Sequence, residues 1–449
     1  MTPPHSHVPI VAICNIAEAF YDFLIRVPDS DSHLKGEAYR GDRAIVWIGA
    51  DKLVITSLAI PHEPYLKQHA GYTGTRSTRP ATNSHLLCKD IANDPAVLAE
   101  IVQFAGAGAT IQVAPYAATR EFYDLVDLLR TDYHLTVLLA DTNERDHIWV
   151  RDYIDTKAGF RILTARWLPN AEDLLLEGIV CPNKAEAAQV AHWFINRGQA
   201  CIVKNDIGEN GFGNVIIRPS EFADKAAILD HLNASTVLGV PPLTVEALVA
   251  NIGTSSPSFE AFVPPIGQGA PYLTYVSDQL FHGFGDFCGV VIGHELTERA
   301  WYPTLVESGL RIAQGLQKMG YVGFFDLDAI CDADDRIYLL EVNTRRTGGT
   351  HTHDFAHFFF GADYLSRVTL LSDDTLSSSG IQDVNLLHEA ASALRYPIGD
   401  EERGIFITGT SALERDEFGV IIVGRDTADC VALQSTLVAT VARFANTQK

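Results

Sequence analysis

Residues 321–345, YVGFFDLDAICDADDRIYLLEVNTR, restrict the fold more than any other stretch of the chain. Two apolar runs flank the turn Asp332-Ala-Asp-Asp335, which predicts an antiparallel pair of strands. Side chains alternate with period two. Asp326 and Asp328 therefore share one face, and Glu341, Asn343 and Arg345 share one face of the partner strand. Where those faces coincide, carboxylates and an amide oxygen converge, a set of hard oxygen ligands that suits Mg²⁺. Asp332, Asp334 and Asp335 read as a solvated turn. Glu341 does not, because it ends the apolar run Ile337-Tyr-Leu-Leu and needs a cation or donor beside it.

A second stretch, Cys201-Ile-Val-Lys204-Asn-Asp-Ile-Gly208-Glu-Asn-Gly211-Phe-Gly213, delivers a lysine from a strand into a loop with three glycines. Glycines let backbone N–H groups approach phosphate oxygens, and Lys204 adds a point charge. The spacing is neither that of a dinucleotide fold nor that of a P-loop. By itself it fits a plain glycine-rich hairpin equally well.

Charge and cysteine usage narrow the class. The 449 residues carry 34 Lys+Arg against 56 Asp+Glu, a net charge of −22, which argues against a nucleic-acid surface. The seven cysteines are scattered without a C-x-x-C pair and read as buried thiols in a reducing compartment. There is no basic leader at the N-terminus and no apolar run of about 18 residues, so a cytoplasmic protein without membrane contact is expected.

Residues 1–150 read as an α/β layer domain, with RAIVWIG and KLVITSL expected to form a hairpin around Gly49-Ala50-Asp51. A helix is expected over 303–319, and the proline-punctuated 254–272 reads as a connector between lobes.

The order Lys204, glycine loop, Glu260-Ala-Phe-Val263, Asp328, Glu341-x-Asn343 resembles the ATP-grasp superfamily over roughly residues 150–355. Arg346-Thr-Gly-Gly-Thr350-His351, in place of the Val-Glu-His of biotin carboxylases, resembles the pheganomycin-type peptide ligases. The resemblance implies an α/β and α+β chain in three parts. These are an N-terminal pre-ATP-grasp α/β domain (1–150), an ATP-grasp core of two α+β lobes (151–370), and a small C-terminal α+β domain (371–449). Within the core, the lid lobe would span about 157–260 and the metal-binding lobe about 261–370.

The implied cofactors are ATP and Mg²⁺, two ions, with Mn²⁺ as a substitute. Asp328, Glu341 and Asn343 match the metal ligands. Lys157 and Lys204 match phosphate contacts, Gly208, Gly211 and Gly213 the lid loop, and Glu260, Ala261, Phe262 and Val263 the adenine hinge. Arg345 and Arg346 would stabilise charge on the transferred phosphoryl group. Thr350, His351 and Arg76 are candidate substrate contacts, although the loop around Arg76 reads equally as plain surface. His351, His353 and His357 have H-x-H-x₃-H spacing, which leaves a zinc site open beside a substrate or phosphate contact.

The implied activity is ATP-dependent ligation of a small-molecule carboxylate to an amino-acid or peptide amine, in natural-product biosynthesis, by a chain that can form a homodimer. The alternatives are a carboxylase-type or phosphotransferase enzyme of the same superfamily, or a silent ATP-binding regulator.

Overall fold

The computed structural model describes residues 8–208, 213–239, 241–249, 255–283 and 285–447. Three sheets organise them. In the first, β1 (Ile10–Ile13), β2 (Lys52–Ile55), β3 (Arg76–Thr78), β4 (Thr110–Pro115) and β5 (Thr136–Leu138) run parallel in the order β3-β2-β1-β4-β5. β1 and β2 are apolar along nearly their whole length because helices and connections cover both faces.

The expected hairpin does not form. Arg40–Val46 is a 3-10 segment, and β2 pairs in parallel with β1 instead. Ala44 to Trp47 are at most 1% exposed, and a wholly buried apolar run carries no periodicity that separates strand from coil.

The second sheet is antiparallel. It contains β6 (Gly178–Cys181), β7 (Cys201–Asn205), β8 (Asn214–Ile217) and β9 (Leu243–Ala247) in the order β6-β9-β7-β8. Helices Lys184–Asn196 and Lys225–Ala234 cover it through Ala187, Ala191, Phe194, Ile228 and Leu232.

The third sheet has eight strands: β10 (Pro257–Val263), β11 (Tyr272–Phe281), β12 (Phe287–Ile292), β13 (Gly323–Cys331), β14 (Ile337–Asn343), β15 (Thr369–Ser377), β16 (Gly404–Gly409) and β17 (Glu417–Gly424). Their order is β14-β13-β10-β11-β12-β15-β17-β16, antiparallel throughout. Residues 371–449 thus extend this sheet instead of building one of their own. The residues expected to connect the lobes contain its strand β10. Pro257 starts the strand and Pro264 follows its end, the positions where a missing N–H costs the ladder least.

One face of the eight-stranded sheet packs under helix Tyr302–Lys318, with Phe259, Ala261, Phe325 and Leu327 against Ile312 and Leu316. Helices Ile148–Ile154 and Lys157–Trp167 join the same core, so the stretch 157–167 of the expected lid lobe packs on the large sheet. The C-terminal helix Thr427–Thr447 packs on β15 and β17. All seven cysteines are buried free thiols. Among the described residues no helix is long and apolar enough to cross a membrane.

Candidate functional site

The other face of the eight-stranded sheet is polar where β14, β13, β10 and β11 lie side by side. Register sets Asn343 opposite Asp326, Asp326 opposite Glu260, and Glu260 opposite Tyr275. The next row places Glu341 opposite Asp328, Asp328 opposite Ser258, and Ser258 opposite Ser277. Directly opposed residues share a face, so the faces of the predicted strand pair do coincide.

Asn343 Nδ2 donates to Asp328 Oδ2 at 2.8 Å, and Gln279 Nε2 donates to Asp328 Oδ1. Ser258 Oγ donates to Asp326. Burial, together with the charges of Asp326 and Glu341, pushes the Asp328 carboxyl far above the usual range. Burial also raises Asp326, with the Glu260 charge adding to it. Converging carboxyls that resist ionisation in each other's presence are a donor set for a divalent cation. The amide oxygen of Asn343 adds a neutral ligand, and the set is all oxygen.

Cations face this row. Lys157 Nζ lies 2.7 Å from Glu341 Oε2. Burial would raise the Glu341 carboxyl, but Lys157, Lys204 and Arg345 outweigh it and hold the group below its ordinary value. Burial alone would lower the Lys157 ammonium, and Glu341, Glu246 and Asp206 reverse this and raise it. Lys204 Nζ sits 2.7 Å from Glu246 Oε2, whose other oxygen accepts from Arg161 Nη1 at 2.7 Å. Lys157 begins its helix, and the Ala158 N–H beside it donates to Asp206 Oδ1 at 2.9 Å. Asp206 therefore ties the start of the glycine loop to that helix.

Arg345 stacks over Phe20 at 4.9 Å, with Asp155 Oδ2 3.6 Å from its Nη1. Asp155 also accepts the Thr344 N–H at 2.7 Å, which fixes the chain just past the metal-type ligands. Glu246, Asp155, Asp206 and Gln279 were not singled out in the sequence. Glu246 carried the same signal as Glu341, an acid set in the otherwise apolar strand LTVEA.

Other expected residues lie elsewhere or act differently. Glu260 to Val263 do not form the crossing between lobes. They are the middle of β10, paired to β11 on one side and β13 on the other, so the ladders take their backbone groups. Ala261 and Val263 point into the helix-covered core. Glu260 is fully buried and accepts from the Thr347 and Thr350 hydroxyls. Burial lifts it to about 7.

Arg346 is 3% exposed. It pairs with Asp141 at 2.8 Å and Asp354 at 3.2 Å, and lies over the rings of Phe324 (4.4 Å) and Trp47 (5.1 Å). Its guanidinium is engaged in holding segments together, and its charge also acts on Glu260 in the polar row. Arg76 is on the edge strand β3 and lies 5.2 Å over Phe104. Thr350 and His351 open helix Thr350–Phe360, with His351 wholly buried. His353 bonds Tyr364 Oη at 2.9 Å and stacks on Tyr275. Residues two apart on a helix point in nearly opposite directions, so the three histidines do not form one ligand set.

Gly208 ends the described part of the strand-to-loop passage, and Gly211 lies outside the described residues. Gly213 has φ +87°, and a Cβ there would fall 2.1 Å from Asn205 Nδ2, so only glycine fits.

No protein-family model matches the chain, and no curated protein matches it. Solved structures do. Biotin carboxylase from Campylobacter jejuni, in a complex with an ATP analogue, aligns with a TM-score of 0.57 at 12% identity, over 98% of this chain and 95% of that one. N5-carboxyaminoimidazole synthetase from Staphylococcus aureus aligns at 0.53 and 12%, over 96% and 97%. The biotin carboxylase domain of the Hydrogenobacter thermophilus 2-oxoglutarate carboxylase, holding MgADP, ADP and bicarbonate, aligns at 0.53 and 12%, over 94% and 87%. At such identities the likeness is one of architecture, and that architecture is the ATP-grasp fold preceded by an N-terminal α/β domain.

Proposed function

We propose that the chain is an ATP-dependent ligase that activates a carboxylate as its acyl phosphate and couples it to an amine. The observation that carries this reading is the meeting of the Asp328, Glu341 and Asn343 ligand set with Lys157, Lys204 and Arg345 between two sheets. In this reading ATP lies between the four-stranded and eight-stranded sheets. Lys157 and Lys204 exchange their carboxylate partners for phosphate oxygens.

Asp328, Glu341 and Asn343 would hold Mg²⁺, which on binding neutralises charge on the phosphates. A carboxylate oxygen of the acid attacks the γ-phosphorus, and the bond from that phosphorus to ADP breaks. The amine nitrogen then attacks the acyl carbon, forming C–N as C–O breaks, and its proton leaves with the phosphate. Arg345 would face the charge that builds on the transferred group.

The finer form of the proposal is an amino-acid or peptide ligase of specialised metabolism. A carboxylase-type reaction, with bicarbonate as the activated acid, is the second reading. It is supported by the one structure of like fold that holds bicarbonate with MgADP. The test is ADP and phosphate release from Mg·ATP across amino acids, small acids including bicarbonate, and short peptides, with product mass read alongside. AMP and pyrophosphate as products would rule out the acyl phosphate.

A further inference from the structure

Strands β12 and β15 lie on the far side of β11 from the strands that carry the Asp328 set, and a mixed group of side chains gathers there. One ligand atom each of His282, Cys288 and Asp373 lies within 4.8 Å of the other two. His282 follows β11 and is exposed, whereas Cys288 on β12 and Asp373 on β15 are buried. Two irregularities of the sheet bring them together. Leu280 pairs with Gly289 and Phe281 with Phe287, so Cys288 is the extra residue of a β-bulge, a device that re-aims a side chain. Gly289 is opposite Asp373, and a Cβ there would overlap Ser372 O, so only glycine lets β12 run this close to β15.

The carboxylate and the imidazole are held by outer partners. Asp373 Oδ2 accepts from Gln434 Nε2 of the C-terminal helix at 2.7 Å, and Oδ1 accepts from the Thr375 N–H and hydroxyl, both at 2.9 Å. The Thr375 hydroxyl, its proton given to Asp373, accepts from His282 Nε2–H at 2.8 Å. That tautomer leaves the imidazole lone pair on Nδ1. Hydrogen bonds of this kind orient the ligands of metal centres. The negative charge is not confined to Asp373, because Asp374 and Asp286 also act on the Cys288 sulfur.

His282 also lines a cavity of about 260 Å³ between the N-terminal layer and the C-terminal strands, which gives an ion its path from solvent. The walls carry Asp42, Asp286, Asp374 and Glu417 against Arg40, Arg43 and Arg415, with Arg43 bonded to Asp374 and Arg40 to Glu37. Acids exceed bases along this path, which favours an entering cation. An imidazole, a thiolate and a carboxylate are the donors that zinc takes, in contrast to the all-oxygen set on β13 and β14. Tetrahedral zinc places its ligands roughly 3.3–3.7 Å apart, so these atoms need to close by about 1.5 Å at most, within reach of side-chain rotation.

We propose that His282, Cys288 and Asp373 bind one Zn²⁺, with a water from the cavity as fourth ligand. The thiol proton leaves to solvent as the sulfur–zinc bond forms. The ion clamps the β11–β12 turn to β15. It thereby joins the strand whose Gln279 donates to Asp328 to the strands contributed by residues 371–449. The site is separate from the Asp328, Glu341 and Asn343 set, and it stands whether or not the chain is a ligase.

The test is Co²⁺ titration of the metal-stripped full chain with Mg²⁺ in excess, followed by back-titration with Zn²⁺. A near-ultraviolet thiolate-to-cobalt band and the intense visible bands of tetrahedral cobalt are expected, both bleached by Zn²⁺. Cobalt on an all-oxygen set gives no thiolate band, so binding at Asp328 does not mimic the signal. Cys288→Ser should abolish the band, and Cys331→Ser, at another buried thiol, should keep it. His282→Ala, a change at an exposed turn, should weaken Zn²⁺ by more than about 100-fold, beyond the roughly 10–100-fold cost of losing an outer partner. It should also erase the rise in melting temperature that zinc gives the parent chain. No thiolate band in the parent chain, a band that survives Cys288→Ser, or unchanged zinc affinity in His282→Ala would overturn the proposal.

Discussion

Glu341 and Glu260 stand two strands apart on one polar face, and burial raises both carboxyls, but Lys157, Lys204 and Arg345 outweigh it at Glu341 while Arg346 does not outweigh it at Glu260. Glu341, a third exposed and paired with Lys157, is held ionised and ready to exchange that partner for a metal. Glu341→Gln should lower kcat for ADP release by about 10²–10³-fold with the melting temperature and far-UV spectrum unchanged, because the amide keeps the shape and loses the charge. Near-normal turnover would remove Glu341 from the ligand set. Lys204→Ala should raise KM for ATP far more than KM for the acid, and the reverse ranking would contradict a phosphate contact.

Glu260 has only hydroxyl donors, and burial lifts its carboxyl from 4.5 to about 7. Between those values the folded chain keeps a proton that the unfolded chain has released, so this group's contribution to stability falls as pH rises through that window. Glu260→Gln removes the dependence. It should stabilise the protein by about 1–3 kcal/mol near pH 8 and by almost nothing near pH 4, read from urea midpoints at both. A gap that does not change with pH would show that Glu260 is ionised in the fold.

At the scale of elements, the sequence was most readable where a periodic pattern and a chemical anomaly coincided. The β13–β14 pair showed both, as alternating apolar residues with acids on one face, and it formed as expected. The helix expected over 303–319 occupies Tyr302–Lys318. Residues 44–47 were misread because burial on all sides erases periodicity, and β10 was misread because its flanking prolines resemble a linker. Helix Tyr302–Lys318 shows a further limit of local reasoning. Its Gly309 is a poor helix former, and alanine there should gain about 1 kcal/mol by propensity. The structure reverses that sign, because a Cβ at Gly309 would lie 2.4 Å from the Phe259 ring, on the strand that carries Ser258 and Glu260. Gly309→Ala should therefore destabilise by about 1–3 kcal/mol, measured by urea unfolding, as overpacking of a filled core does. A stabilised variant would mean that Phe259 yields at no cost.

At the scale of the whole molecule, the contacts that join the parts had no local signature. Arg43 and Asp374 are 331 residues apart, and Arg346 and Asp141 are 205 apart. In the sequence, Arg346 can be judged only by its neighbour Arg345, so the pattern suggests a second phosphoryl contact. In the fold it bridges Asp141 at the end of the N-terminal layer, Asp354 in helix Thr350–Phe360, and the Phe324 ring on β13, while its N–H donates to Tyr116 O at 3.1 Å. Burial pushes the Asp141 carboxyl up even with Arg346 beside it, so without the arginine that group would be neutral or strongly unfavourable. Arg346→Met, which keeps the stem volume, should cost about 3–5 kcal/mol in urea unfolding, and adding Asp141→Asn should recover part of the loss. Turnover should fall only as far as the folded fraction falls. If kcat collapsed while stability held, Arg346 would belong with Arg345 at the transferred phosphoryl group, and the join between the layers would have to rest on other contacts.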